Sequence, residues 1–199
     1  MDKIKLVAFD FDGTITTKDT LLQFIIFSKG VRKFVGGTLF FSPLIIAYYL
    51  KIYPNWKLKQ KIFSYFFKGV SLIDFNRICK EFANAKQHLI KQKAIEKITE
   101  YRKQHFDIII ISASIENWVL PFANRLGITN VICTKIEKND NNIITGKFST
   151  RNCNGKEKVD RLLEKYPDRE KYFLTVYGDS RGDYELLKFA DEKYYKTFK

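Results

Sequence analysis

The chain has little of what disulfide-rich and zinc-binding proteins are built from. Its 199 residues include three cysteines and two histidines. Cys79, Cys133 and Cys153 are widely spaced and odd in number, and His88 and His105 each stand alone. The sequence therefore indicates neither a disulfide framework nor a zinc site.

The sequence also lacks an apolar leader. Met1-Asp2-Lys3 leads directly into the first predicted strand, without the apolar core and cleavage site of a signal peptide. No repeat, low-complexity tract or linker rich in Pro, Gly and Ser interrupts the chain. What is present is hydrophobic, because 45% of the residues are apolar and 16% are aromatic. We expect a globular, cytoplasmic protein with a large core.

Three apolar, β-branched runs predict central parallel strands. They are Ile4 to Phe9, Phe106 to Ile111 and Tyr172 to Tyr177. Helical spacing over Ile115 to Leu126 and over Lys156 to Tyr166 places helices between them. This alternation is typical of an α/β fold, a doubly wound, Rossmann-like parallel sheet. Asn139-Asp140-Asn141-Asn142, with extended runs on both sides, predicts a hairpin or two short strands within residues 131–148.

Residues 15–93 do not fit this alternation. Cap and stop residues outline three helices there, one from Asp19 to near Gly30, one from Asn55 to near Gly69, and one that Ser71 and Asp74 begin. We therefore predict a catalytic core of residues 1–14 and 94–199, with an all-helical cap subdomain inserted at 15–93.

Acidic residues are scarce in this insertion. The chain carries a net charge of +13, and residues 15–93 hold 14 Lys or Arg against three Asp or Glu. One interpretation is a solubilising surface. The other is attraction to an anionic partner, either a membrane or a substrate. A nucleic-acid partner is not expected.

One segment of the insertion has no charge at all. Phe34 to Leu50 spans 17 uncharged residues, fewer than the roughly 20 that a membrane span needs, and two glycines and a proline interrupt it. It is either a buried helix pair or a segment that lies against an anionic interface, since Arg32-Lys33 and Lys51 flank it. The second alternative places a cytoplasmic protein peripherally at the inner face of the membrane.

A pair of carboxylates directly follows the first predicted strand, in Asp10-Phe11-Asp12-Gly13-Thr14. Two like charges at a buried strand end are costly unless a cation or a proton is shared between them. Residues i and i+2 of an extended chain point to one side, so Asp10 and Asp12 can converge on Mg²⁺. Asp10 is the candidate nucleophile for a phosphoryl group, and Asp12 is the candidate acid and base.

Other residues near strand ends are candidates for binding phosphate. Gly13 permits a tight turn, and Thr14 with nearby amides can hold phosphate oxygens. Ser112 ends the second strand, where its hydroxyl can donate to phosphate, and we place Ala113 in the same site. Ser114 is either part of this group or the N-cap of the next helix.

Two later segments complete the set. Lys156 stands in the first turn of a helix that Asn154 is predicted to cap, where a positive charge opposes the helix dipole. It either neutralises an anion or is an ordinary exposed lysine. Asp179, at the end of the third strand, is placed to complete the metal site. Asp183 either orients metal-bound water or is the partner of Ser180 in a helix cap.

Together these segments resemble, in order and spacing, the four motifs of the haloacid dehalogenase superfamily. They are Asp10 to Thr14, then Ser112, then Lys156, and last Gly178-Asp179 with Asp183. The helical insertion is similar to the cap of the subfamily that includes phosphoserine phosphatases. The resemblance implies a Mg²⁺-dependent phosphomonoester hydrolase, a phosphatase that acts through an aspartyl-phosphate intermediate.

The resemblance also implies the role of each residue. Asp10 would be phosphorylated, and Asp12 would act as acid and base. Mg²⁺ would be held by Asp10, the Asp12 carbonyl and Asp179, and Ser112 with Lys156 would bind the phosphoryl group.

The substrate is less well defined than the reaction. Phosphoserine phosphatases usually have Ser-Gly-Gly after the second motif strand, where this chain has Ser112-Ala113-Ser114, and Asn where it has Gly182. The basic, apolar cap looks more like that of bacterial members acting on phosphatidylglycerophosphate, so a lipid phosphate is a candidate substrate. The alternatives are a phosphoserine-like small-molecule phosphatase and a phosphotransferase, with a non-enzymatic phosphate- or membrane-binding module less favoured.

Overall fold

A five-stranded parallel sheet forms the centre of the structure, a computed structural model that describes residues 3–198. The chain has seven described strands: β1 (Ile4–Phe9), β2 (Asp107–Ile115), β3 (Asn130–Thr134), β4 (Ile136–Lys138), β5 (Ile144–Phe148), β6 (Tyr172–Gly178) and β7 (Glu192–Tyr195). The order in the sheet is β3-β2-β1-β6-β7, and β4 pairs with β5 as an antiparallel hairpin. The predicted fold class is confirmed. Met1 and Asp2, on which the expectation about a leader depends, lie outside the described residues.

Eight α-helices accompany these strands in the described part of the chain. They are α1 (Thr20–Lys29), α2 (Val31–Tyr49), α3 (Asn55–Phe67), α4 (Leu72–Ala85), α5 (Gln92–Lys103), α6 (Glu116–Arg125), α7 (Lys156–Lys165) and α8 (Tyr184–Phe189). Helices α5 and α6 pack on one face of the sheet, and α7 and α8 pack on the other. Both faces of the central strands are therefore buried, which explains their nearly continuous apolar sequences.

Alternate residues of β1 enter two separate hydrophobic clusters. Val7 and Phe9 belong to the cluster shared with α5, α6 and the inserted helices, whereas Leu6 and Ala8 belong to the cluster under α7 and α8. This two-residue alternation is the geometry of a strand covered on both sides. It fixes which way Asp10, the next residue, leaves the sheet.

The second predicted strand ends later than its apolar run suggests. It continues through Ser112 and Ser114 to Ile115, because both serines are buried and hydrogen-bonded within the protein. A register shift between Ser112 and Ile115 interrupts the pairing with β3. The run at 131–133 lies in β3 of the central sheet, and the hairpin is formed by the later strands β4 and β5.

The chain leaves and re-enters the sheet domain along paired backbone segments. Thr17 N donates to Leu89 O at 2.8 Å, and Lys91 N donates to Ile15 O at 2.9 Å. Helices α1 to α4 lie between these two segments. The predicted boundaries of the cap at residues 15 and 93 stay a prediction.

The predicted helix caps of the insertion are only partly correct. Asp19 accepts a hydrogen bond from Leu22 N, and Ser71 accepts one from Asp74 N, as predicted. Asn55 is instead the first residue of α3, and Pro54 occupies the cap position. Proline suits this position because its fixed φ matches the extended backbone that precedes a helix.

The uncharged segment forms one helix, α2, rather than a buried helix pair. Pro43 lies inside this helix without ending it, and only Gly37 and Phe41 are buried. Its exposed apolar side chains are Val31, Val35, Leu39, Phe40, Ile46 and Tyr49. Within residues 3–198, α2 alone is long and apolar enough to cross a membrane, judged by length and composition. A helix that is apolar all round and lies on the surface needs an explanation.

Candidate active site

A pocket of about 440 Å³ opens at the carboxyl ends of β1, β2 and β6. Strand order runs outward from β1 in both directions, so this edge is the point at which parallel α/β sheets bind ligands. The predicted site residues that line it are Asp10, Asp12, Gly13, Ser112, Ala113 and Asp179. The sheet topology thus brings together side chains separated by more than a hundred residues.

The turn after β1 aims the two carboxylates in different directions. Gly13 has φ +79, and a Cβ there would lie 2.2 Å from Asp179 Oδ2, so this position requires glycine. The Asp10 carboxylate contacts Lys158. Asp12 is extended, with φ −71 and ψ 123, and its carboxylate is directed toward α1 and β2.

Three hydrogen bonds hold the Asp12 carboxylate. Thr20 N and Thr20 Oγ1 donate to Oδ1 at 2.8 and 2.6 Å, and Ser114 Oγ donates to Oδ2. Burial raises the pKa of Asp12, although the hydrogen bonds from Ser114 and Thr20 oppose that rise. Ser114 is therefore a partner of Asp12, and the following helix begins after Ile115.

Lys158 is the cation at the base of the pocket. Its ammonium donates to Asp10 Oδ1 and Asp183 Oδ1, both at 2.6 Å, and to Ile111 O at 2.8 Å. The side chain is only 1% exposed. Burial alone would lower the pKa of Lys158, but the two carboxylates raise it above its ordinary value. Lys158 is therefore a fixed positive charge beside Asp10.

Lys156, the lysine predicted for this role, is a surface residue. Its side chain is 83% exposed and lies 3.9 Å from Asp160. Helical residues turn by about 100° each, so positions 156 and 158 face roughly opposite directions. A signal for Lys158 was present, because it lies four residues before Leu162 on the buried face of α7. The Asn154 cap was also wrong, since Gly155 holds the cap position.

Asp183 is the partner of Ser180 in a helix cap, one of the two alternatives that the sequence left open. It forms a capping box with Ser180, and its Oδ2 accepts hydrogen bonds from Ser180 N and Oγ at 2.9 and 2.8 Å. Its other oxygen accepts the Lys158 bond. Although burial opposes it, Lys158 lowers the pKa of Asp183 below its ordinary value. The residue thus positions both Lys158 and the loop after β6.

Asp179 lies at the opposite side of the same cluster. It is half-buried, and its Oδ1 accepts a hydrogen bond from Thr14 Oγ1 at 3.1 Å. The Thr14 hydroxyl thus orients Asp179, rather than being directed at a phosphate. Burial raises the pKa of Asp179, despite the Thr14 bond.

The donor set fits a hard divalent cation. Oxygen atoms of Asp10, Asp179 and Asp183 all lie within 4.8 Å of one another. Because the Asp183 oxygens already accept bonds from Lys158 and Ser180, the carboxylates of Asp10 and Asp179 are the better placed ligands. Burial raises the pKa of Asp10 to about 7, more than Lys158 lowers it, so this group of carboxylates is short of positive charge. Oxygen-rich sites of this kind suit Mg²⁺.

The wall formed by β2 carries the remaining predicted residues and contacts one residue that the sequence did not reveal. Ser112 is buried, and its Oγ accepts a hydrogen bond from Ser114 N at 3.1 Å. The carbonyl of Ala113 accepts bonds from Lys59 Nζ at 2.8 Å and from Thr134 Oγ1 at 2.9 Å. Lys59 comes from α3 and brings an ammonium to the pocket mouth. Its place in a basic segment gave no local signal that distinguished it from the other lysines.

Comparison with known proteins defines the class. Residues 7–188 match the family model of haloacid dehalogenase-like hydrolases. The chain therefore belongs to this hydrolase family, and the resemblance stated from its motifs is confirmed.

Individual relatives agree with this placement. The chain is 36% identical over 196 residues to protein CicA of Caulobacter vibrioides, covering 98% of this chain and 86% of that protein. A protein of unknown function from Bordetella pertussis Tohama I has a TM-score of 0.84 at 16% identity, covering 96% and 89% of the two chains. A phosphoserine phosphohydrolase-like protein from Francisella tularensis has a TM-score of 0.70 at 19% identity, covering 96% and 86%. At such identities the structural likeness shows the fold.

Proposed function

We propose that this protein is a Mg²⁺-dependent phosphomonoester hydrolase in which Asp10 forms an aspartyl phosphate. The observation that carries the proposal is the buried Lys158, bonded at 2.6 Å to both Asp10 and Asp183, at the open end of the sheet. Membership of the hydrolase family supports the same reaction class. The similarity of the fold to that of a phosphoserine phosphatase supports it further.

The first step is attack by Asp10 on phosphorus. A bond forms between its carboxylate oxygen and phosphorus, the bond to the leaving oxygen breaks, and Asp12 donates a proton to that oxygen. The raised pKa of Asp12, caused by burial, favours a carboxyl that can hold this proton. Thr20 and Ser114 fix the orientation of Asp12 throughout.

The second step releases phosphate. Asp12 takes a proton from water, the water oxygen attacks phosphorus, and the acyl-phosphate bond to Asp10 breaks. Lys158 and the Ser112 hydroxyl would hold the phosphoryl oxygens, together with the backbone at Gly13 and Ala113. A cation held by Asp10, Asp179 and the Asp12 carbonyl would supply charge neutralisation for the phosphoryl group. Positioning and charge are what phosphoryl transfer chiefly requires.

Replacement of the nucleophile tests this proposal. Asp10→Asn should reduce Mg²⁺-dependent hydrolysis of p-nitrophenyl phosphate to background, because an amide cannot form the acyl phosphate. The matched control is Asp160→Asn on α7, which changes an exposed aspartate and should keep full turnover. Undiminished hydrolysis by Asp10→Asn, with an unchanged circular dichroism spectrum, would show that Asp10 is not the nucleophile.

For the substrate we propose a lipid phosphate, such as phosphatidylglycerophosphate, with residues 15–93 acting as the cap that selects it. Residues 20–73 contain eight Lys or Arg and no Asp or Glu. They include α2, whose outer face exposes Leu39, Phe40 and Ile46. Apolar side chains beside a segment whose charged residues are all basic suit binding to an anionic bilayer. We therefore place the protein peripherally, with α2 against the inner face of the membrane.

A further inference from the structure

A second cavity lies directly beside the active-site pocket. It is a groove of about 270 Å³ between α1, α2 and α3. Apart from Gly37 and Thr38, every residue that lines it is aliphatic or aromatic. The groove thus has the apolar character of a ligand site, and the phosphate chemistry of the active site leaves it unexplained.

The groove and the active-site pocket share a wall. Leu58 and Ile62 line both of them. These residues are one helical turn apart on α3, and Lys59 between them lines the active-site pocket alone. Helix α3 therefore separates a polar chamber from an apolar one by the thickness of two side chains.

Helix α2 forms the opposite side of the groove through Phe34, Phe41 and Ile45, at helical spacing. A Cβ at Gly37 would lie 2.4 Å from Cζ of Phe66, so the absence of a side chain lets the Phe66 ring lie against α2 and close the groove there. The apolar residues of α2 therefore serve two surfaces, one toward the groove and one toward solvent.

We propose that this groove binds the acyl chain of an amphiphilic phosphomonoester while its phosphate occupies the neighbouring active-site pocket. This assignment rests on the phosphatase function proposed above and specifies the substrate class. Adjacency to the active site, across the shared residues Leu58 and Ile62, argues for a chain attached to the reacting phosphate. The basic surface of residues 20–73 complements a phosphorylated lipid, and no charged side chain lines the groove.

Unbranched alkyl phosphates below their micellar concentration test the assignment. With butyl, octyl and dodecyl phosphate, kcat/KM should rise with chain length by up to about fourfold per buried methylene, and should level off when the groove is full. The tryptophan of Ile45→Trp fills the groove, so the kcat/KM of this variant should level off at a shorter chain length. Its activity on p-nitrophenyl phosphate should be unchanged. Ile46→Trp, the adjacent residue on the exposed side of α2, is the matched control and should behave like the unchanged protein.

Binding is measured separately from turnover, with dodecyl phosphate titrated calorimetrically into the Asp10→Asn protein. Dodecyl phosphate should bind at least tenfold more tightly than butyl phosphate, and Ile45→Trp should remove that difference. Activity on p-nitrophenyl phosphate with no chain-length dependence in turnover or binding would overturn the groove assignment and leave the phosphatase function standing. Chain-dependent binding without any phosphatase activity would overturn the proposed function and retain the groove as an acyl-chain site.

Discussion

Lys158 shows how a single residue can connect the fold to the chemistry. Its ammonium bridges three neighbouring strands, because it contacts Asp10 after β1, Ile111 within β2 and Asp183 beyond β6. A buried cation with two carboxylate partners is costly to desolvate and still more costly to remove. The same contacts that orient the candidate nucleophile thus also connect β1, β2 and the loop after β6.

Replacement of Lys158 should therefore affect stability as well as activity. We expect Lys158→Ala to lower the free energy of unfolding by about 3–5 kcal/mol, since it leaves two buried carboxylates without their partner. The measurement is urea denaturation followed by circular dichroism.

Lys156→Ala on the same helix is the control. Because Lys156 is exposed, its replacement should change the free energy of unfolding by less than about 0.5 kcal/mol. Equal effects of the two substitutions would contradict the assignment of the buried cation to Lys158.

Lys156 was predicted in place of Lys158 because a short motif does not determine where a helix begins. The carboxylates after β1 and β6 were identifiable because they interrupt buried strands, where charge is rare. A lysine near a helix start carries no comparable signal, and the choice between 156 and 158 depends on where the helix begins. Gly155, with φ 61, sets that start, and this turn is a tertiary feature formed with Gly182. The local evidence for Lys158 was its position four residues before Leu162, which puts both side chains on the same face of α7.

At the scale of elements, α2 is where the sequence and the structure differ most. Its lack of charge left two interpretations, a buried helix pair or a segment that lies against an anionic interface, and the buried pair was wrong. One face of α2 lines the groove with α1 and α3, and the other stays exposed. Composition could identify the segment as unusual, but only its packing shows which side remains uncovered.

The exposed face of α2 predicts selective binding to membranes. The protein should sediment with phosphatidylglycerol vesicles and much less with phosphatidylcholine vesicles, and high salt should weaken the binding. The double variant Leu39→Glu/Ile46→Glu should reduce the partition coefficient at least tenfold, because it removes two apolar contacts and adds repulsion.

Ile73→Glu provides the control for this experiment, since Ile73 is more exposed than Leu39 and Ile46 but lies on α4. It should bind vesicles as the unchanged protein does. Binding that is indifferent to lipid charge and to the α2 substitutions would argue against membrane contact through this helix.

At the scale of the whole molecule, cation binding and unfolding should be linked. The pKa of Asp10 is raised to about 7 by burial, from an ordinary value of 3.8. The folded, metal-free protein therefore holds this proton more tightly than the unfolded chain. Its contribution to stability is present below about pH 4 and is lost as the pH rises through 7.

Mg²⁺ should therefore stabilise the protein more at pH 8 than at pH 6, where protons compete for Asp10. At 100 times its Kd, Mg²⁺ should add about 2.7 kcal/mol, which corresponds to a rise in Tm of about 5–10 °C for a chain of this size. Thermal unfolding with and without Mg²⁺ measures this rise in Tm, and Asp179→Asn should make the rise smaller. A rise that is the same at both pH values would contradict the linkage to Asp10.

The sheet was the most predictable part of the molecule, because three long apolar runs fixed its central strands and helices fell between them. The limits of β2 and the location of the hairpin were not predictable from local patterns. Ser112 and Ser114 look like the end of a strand, and only their buried partners show why the strand continues. Pairing between distant segments decides such cases.

Thr20 connects the paired segments at residues 15–17 and 89–91 to the orientation of Asp12. Thr20 is the first residue of α1, just beyond the paired segment at residues 15–17, and it supplies two of the three hydrogen bonds to the Asp12 carboxylate. A displacement of α1 away from β1 would break both of these bonds and leave the carboxylate with the bond from Ser114. The orientation of the candidate proton donor thus depends on the position of α1, a helix outside the sheet.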